Sequence, residues 1–301
     1  MGYKMENIAK YDIVFEILHY MAVESTILSI EYIEKNIDTD SYRIVVVDNC
    51  SPDGSGERLA DKYSDSEKVE ILLNSSNQGF TRGNNYGIRY IRDHYDCCFL
   101  AVMNNDVLLA ETTLIHKLNK YYAEYGFAVA GPNVVDPYGS VSNPVAYELP
   151  SDKLISERIE GPVKLLKFDK YGLINVYDKI AYTSFRIQRF FKGEAKKKYI
   201  LDAKQDVVLH GCFWVFSRKY FERYSGLADK EYMYGEEETL QLCLEKAGLK
   251  SIYMPDVTVL HLHAQSSKEA FGNKAEKKRF VAHNQIESWK EYLKLREELE
   301  K

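Results

Sequence analysis

Val45-Val46-Val47-Asp48-Asn49-Cys50-Ser51-Pro52-Asp53-Gly54-Ser55 decides the fold class. An apolar, β-branched run stops on a carboxylate, a Pro-Asp-Gly turn follows, and a Ser or Asp stands where it can cap a helix. This is a strand–turn–helix unit, and the same beat recurs on both sides of it. Strand-like runs lie at Tyr11–Leu18, Tyr42–Asp48, Val69–Asn74 and Cys97–Met103. Helix-patterned stretches at Val23–Asn36, Ser55–Tyr63 and Gly79–Tyr95 fill the gaps. Strands alternating with helices predict an α/β chain built of βαβ units on a mostly parallel sheet. In such sheets ligands bind beyond the carboxyl ends of the strands, where Asp48 stands.

Beyond Pro150 the pattern changes. Residues Ser151–Gln205 hold 13 Lys/Arg against 7 Asp/Glu, have weak periodicity and carry many aromatics, so they read as an insertion. Regular structure resumes at Val207–Ser217, then comes a helix over Glu236–Ala247, a strand over Lys250–His261 and a charged helical tail over Lys268–Lys301. No internal repeat is present. The 301 residues can bury a substantial core, and 45% hydrophobic with 28% charged residues is an ordinary globular composition. A net charge of −5 argues against a nucleic-acid partner. Five cysteines with no CxxC pair predict buried free thiols in a reducing compartment. No stretch approaches the ~20 apolar residues of a membrane span and no signal peptide opens the chain, which predicts a cytoplasmic location.

Four further motifs follow the strands. Asn74-Ser75-Ser76-Asn77-Gln78-Gly79-Phe80-Thr81-Arg82-Gly83-Asn84-Asn85 places glycines, amides and one Arg at a helix start, a setting for an anion, without the spacing of a dinucleotide fingerprint or a P-loop. Met103-Asn104-Asn105-Asp106-Val107 ends an apolar strand on an Asn-Asn-Asp cluster, where a carboxylate needs a partner such as a divalent cation. Tyr234-Gly235-Glu236-Glu237-Glu238 puts three acids in a helix first turn, where the dipole keeps a carboxylate ionised, as a general base requires, though helix stability alone accounts for acids there. Val259-Leu260-His261-Leu262-His263 sets two His at i, i+2, expected on one face of a strand end.

Read in order, VVVDNCSPDGS, NSSNQGFTRGNNYGI, FLAVMNND, AGPNVVDPYGS, LHGCFWVFSRKYF, YMYGEEETL and VLHLHAQSS resemble a family 2 glycosyltransferase of the GT-A fold, rhamnosyltransferase-like branch, over about residues 10–267. The resemblance implies a Rossmann-like central sheet flanked by helices, a transferase unit over 1–267 and a helical extension over 268–301. It assigns Asp48 and Asn49 to the nucleotide and Asn77, Gly79, Arg82 and Asn85 to the donor loop. It adds Asn104 and Asn105 beside the donor, and Asp106 with His261 (His263 if the register slips) to Mg2+ or Mn2+. Glu237 becomes the catalytic base, with Glu236 the alternative. The family's DxD reads Asn104-Asn105-Asp106 here, one carboxylate short, and its ED pair reads Glu236-Glu237.

The expected reaction moves a sugar, with inversion, from a nucleoside-diphosphate sugar (dTDP-rhamnose or a UDP-sugar) to a hydroxyl of a saccharide or lipid-linked acceptor in cell-surface polysaccharide synthesis. The alternative is a catalytically silent nucleotide-sugar binder in a biosynthetic complex. Lys179, Arg186, Arg189, Lys192 and Lys196–Lys198, interleaved with aromatics, form either a solvated face or a patch for an anionic membrane on the inner face of the cell. The tail either packs on its own domain or pairs two subunits.

Overall fold

A computed structural model describes residues 10–177, 179, 183, 200–229, 233–263 and 273–300. β1 (Lys10–His19), β2 (Tyr42–Asp48), β3 (Val69–Leu73) and β4 (Asp96–Asn104) are parallel and alternate with α1 (Val23–Asn36), α2 (Ser55–Lys62) and α3 (Gly79–His94). The chain continues through β5 (Val107–Leu109), α4 (Leu114–Tyr125), β6 (Val129–Val135), α5 (Asp152–Asp169), β7 (Lys204–Gln205) and β8 (Phe213–Ser217). It ends with α6 (Arg218–Phe221), α7 (Glu236–Lys246), β9 (Ser251–His261) and α8 (Lys274–Leu299).

Among the described residues the strands form one sheet in the order β3-β2-β1-β4-β8-β6-β9-β5, with β7 beside β9. β8 is antiparallel to β4 and β6, and β9 is parallel to β6, so β9 points the same way as β1, β2 and β4. The carboxyl ends of these strands, His19, Asp48, Asn104 and His261, therefore share one edge. The expected mixed α/β architecture, with a mostly parallel sheet between helices, is the one observed.

Strand alternation divides the core. Ile13, Phe15 and Ile17 of β1 pack with Ile30, Ile33, Leu59, Leu114 and Leu118, under α1, α2 and α4. On the other face Val14, Val45 and Val102 pack with Ile88, Ile91, Trp214 and Leu240, under α3 and α7. Gly87 lets α3 lie close to the sheet, since a Cβ there would stand 2.6 Å from Glu16 Cγ and 2.8 Å from Val47 Cγ2. A third cluster, Ile155, Leu242, Cys243, Trp289, Tyr292 and Leu295, joins α5, α7 and α8.

Several expectations change. The region 107–150, read only for its motif, contains α4 and β6. Asp152–Asp169, part of the stretch read as weakly periodic, is the helix α5, capped by Ser151, whose Oγ accepts from Leu154 N at 3.4 Å. Only Phe213–Ser217 of the run Val207–Ser217 is a named strand; the residues before it approach it as a loop bridged at Val208 to Ala146. The cysteines are free but not all buried: Cys50 is exposed, Cys97 and Cys98 are half-buried, and Cys212 and Cys243 are inside. The tail helix packs on its own chain, burying Ala282, Ile286, Trp289 and Tyr292. Arg186, Arg189, Lys192 and Lys196–Lys198 lie outside the described residues. Among the described residues no helix is long and apolar enough to cross a membrane.

Candidate active site

At the β2 end Asp48 is 4% exposed rather than projecting from the sheet edge. Its carboxylate accepts from Ser51 N at 3.2 Å and Ser51 Oγ at 2.5 Å, and Gly56 makes room for it at the start of α2. Burial raises its pKa, and the Ser51 hydrogen bonds oppose that shift. His19 lies beside it, Nε2 to Oδ1 3.9 Å. Burial lowers the His19 pKa to about 4, which leaves the ring neutral between Thr26 and Ser55.

Asn49 ties this turn to the glycine loop. Its Nδ2 donates to Gly79 O at 2.9 Å and to Asn77 Oδ1 at 3.2 Å, and its Oδ1 accepts from Gln78 N at 3.0 Å. Asn77 in turn accepts from Gly79 N at 3.0 Å, and Gly79 starts α3 at φ +74°, a value that favours glycine. Arg82 stands exposed on the outer turn, with Nε donating to Asp229 Oδ1 at 2.5 Å. Such an exposed pair is worth at most about 1 kcal/mol, so an anionic ligand can displace Asp229. Asn85 is not brought to the cleft surface. It is buried, and its amide clamps Leu227, donating to O at 2.9 Å and accepting from N at 2.7 Å.

The second half of the site gathers around the β4 and β9 ends. Asn104 N donates to Cys212 O at 3.0 Å, and Asn105 Nδ2 donates to Thr26 Oγ1 at 3.1 Å. Asp106 and His261 are both buried, with Nε2 3.2 Å from Oδ1. His261 Nδ1 is buried without a hydrogen-bond partner, an open lone pair that suits a cation. His263 is not on the strand with His261, because β9 stops at His261 and His263 takes φ +55° beyond it. Its ring lies 4.2 Å from that of His261.

The three acids of α7 separate, as helix geometry demands of consecutive residues. Glu236 turns to a small apolar cavity lined by Thr81, Tyr220, Leu227 and Leu240. Glu238 pairs with Arg158 of α5, Oε1 to Nη1 2.5 Å. Glu237 turns to the loop before β8, where its Oε1 accepts from Gly211 N at 3.2 Å. Burial, then the charge of Glu238, pushes the Glu237 carboxyl up to about 7, against the Gly211 N–H and Arg158. That value suits proton exchange near neutrality.

Sequence reasoning missed His210, Cys212 and Asn143. His210 and Cys212 flank Gly211, and one ligand atom from each lies within 4.8 Å of one from His261. Asn143 Oδ1 accepts from His210 N at 2.9 Å and so holds this loop. The His-x-Cys spacing was a visible signal; the approach of His261 was not.

The glycosyl transferase family 2 model matches residues 22–225. The chain belongs to that family. No curated protein matches the sequence. Among solved structures, a crystal structure of GalNAc-T7 with UDP, GalNAc and Mn2+ is similar, at 12% identity and a TM-score of 0.55. The match covers 94% of this chain and 50% of that chain, so this family member spans about half that protein's length. The likeness gives the fold, which is GT-A.

Proposed function

We propose that the chain is an inverting glycosyltransferase of the rhamnosyltransferase-like branch, with residues 1–267 as the transferase unit and 268–301 as an extension. It takes a sugar from a nucleoside diphosphate, dTDP or UDP, to a hydroxyl of a saccharide or lipid-linked acceptor in surface-polysaccharide synthesis. The observation that carries the reading is the Glu237 carboxyl, held by the Gly211 N–H and raised to about 7, close to the buried Asp106–His261 pair. The UDP and Mn2+ bound to the GalNAc-T7 structure support the donor class.

The Asp48–Ser51 turn and Asn49 form the nucleoside end of the cleft, and Asn49, Asn77 and Gly79 hold the loop from which Arg82 reaches the diphosphate. Asn85 supports that loop through Leu227. Asn104 and Asn105 orient the end of β4. Asp106 and His261 would hold Mg2+ or Mn2+, which supplies positive charge against the leaving diphosphate. Glu237 takes the proton from the acceptor hydroxyl as its oxygen bonds to the anomeric carbon. The bond to the diphosphate breaks on the opposite face, so the configuration inverts. Glu236, facing the small cavity, stands outside this chemistry. The charged patch of 179–198 brings the chain to an anionic membrane carrying a lipid-linked acceptor.

A thermal-shift panel of UDP, dTDP, GDP and CMP, each with and without Mg2+ or Mn2+, tests the reading. A ligand at ~100 times its Kd stabilises by ~2.7 kcal/mol. One diphosphate nucleotide should raise the melting temperature strongly, and only with metal. No shift from any nucleotide overturns the donor assignment. Binding without hydrolysis or transfer favours a silent binder, a reading that the missing carboxylate at Asn104 supports.

A further inference from the structure

The loop before β8 carries chemistry that the transfer mechanism does not use. Cys212 is 1% exposed and packs in the main core cluster beside Phe213, while its carbonyl accepts from Asn104 N at the polar edge of the sheet. His210, two residues earlier, is half-buried, and its Nδ1 accepts from Cys212 N at 3.1 Å, so the lone pair of that ring resides on Nδ1. His261 presents a matching state. Its Nε2 faces Asp106 Oδ1 at 3.2 Å, which places the ring proton there and leaves Nδ1 as a buried lone pair with no partner. A carboxylate behind a histidine is the arrangement that orients imidazole ligands on metals and increases their basicity. One ligand atom each from His210, Cys212 and His261 fall within 4.8 Å of one another.

We propose that His210, Cys212 and His261 form a thiolate–imidazole site for a soft divalent cation of the zinc class, with Asp106 orienting His261. Two nitrogens and one sulfur favour such an ion over Mg2+, which prefers oxygen ligands. In a tetrahedral site with bonds of about 2.0–2.3 Å, ligand atoms stand about 3.5 Å apart. The separations, none above 4.8 Å, therefore close by no more than about 1.3 Å on binding, and the Cys212 N–H to His210 bond yields to the metal bond. Three protein ligands leave a fourth position open, as in sites that bind water or substrate. Gly211, between two of the ligands, holds Glu237, so the ion would sit at the catalytic edge. It would also compete for His261 with the Mg2+ or Mn2+ of the transfer reaction. The competition rests on the transferase reading; the site itself does not.

Cobalt(II) is the probe, added to the full-length, reduced, metal-free chain. One equivalent should give intense visible bands of a four-coordinate ion and a near-ultraviolet thiolate-to-cobalt charge-transfer band, both abolished by zinc. Cys212→Ser should remove the charge-transfer band. Because Cys212 is buried, His210→Ala serves as a second variant: it should keep that band and weaken cobalt binding more than tenfold, a loss seen even when only a ligand-orienting group is removed. Weak bands without charge transfer, a spectrum unchanged by Cys212→Ser in folded protein, or affinity unchanged by His210→Ala overturns the site. Cobalt binding through sulfur in a chain that transfers no sugar leaves the site standing and removes the transferase reading. Transfer with Mg2+ or Mn2+ in a chain without the charge-transfer band does the reverse.

Discussion

Glu236, Glu237 and Glu238 are adjacent in sequence and meet three different surroundings. A helix turns by about 100° per residue, so the first faces an apolar cavity, the second the β8 loop and the third Arg158. Glu237 combines a hydrogen bond at the cleft with a pKa raised to about 7. Glu237→Gln keeps the shape and loses proton acceptance. Its transfer rate should fall by roughly 10²–10⁴-fold with nucleotide binding and circular dichroism unchanged, whereas Glu236→Gln should stay near wild type. A raised carboxyl is protonated below its pKa and able to accept above it. The kcat/KM profile should therefore rise with pH to a limb no higher than about 7, since a bound cation nearby lowers the value further. In Glu237→Gln residual activity should lack this limb.

At the scale of elements, two glycines in helices are required for different reasons. Gly87 presses α3 against β1 and β2, and a Cβ there would overlap Glu16 and Val47. Overpacking of this kind costs about 1–3 kcal/mol, so Gly87→Ala should lower the urea midpoint by the corresponding amount. Gly161 in α5 has nothing within 4 Å of an added Cβ. Pro162 follows it inside the helix, however, and a Cβ on the residue before a proline is disfavoured in the helical region, so Gly161→Ala should bring no gain in the same titration despite that open space. The sequence shows the proline after Gly161 but not the strands beneath Gly87. Gly87 is held by a contact across the fold and Gly161 by its chain neighbour.

At the scale of the molecule, α5 and α8 brace the helix that carries Glu237. Arg158 bridges them: it pairs with Glu238, and its guanidinium lies 4.5 Å from the Trp289 ring centre. Ser288 Oγ donates to Met233 O at 2.7 Å, just before α7 begins. Trp289 is 5% exposed and meets Tyr292 edge-on at 5.5 Å. Trp289→Ala should cost about 3–5 kcal/mol in chemical denaturation. Hydrogen exchange should rise first in α5, α7 and α8 while β1 and β2 stay protected; uniform loss across the sheet would mean that no such brace exists.

The alternating apolar runs carried the sheet and its first three helices, because burial on a pleated surface and along a helix stripe leaves a period in the sequence. The same runs ended on Asp48, Asn104 and His261, and parallel strands bring their carboxyl ends to one edge, so most of the candidate site was legible. The remainder came from packing. Asp48 turns inward because Ser51 and Gly56 receive it, and Asn85 is taken by Leu227, 142 residues away in sequence. His210, Cys212 and His261 meet because β8 and β9 flank β6. Periodicity is a local property, whereas these contacts join distant segments whose distance is set only when the sheet closes.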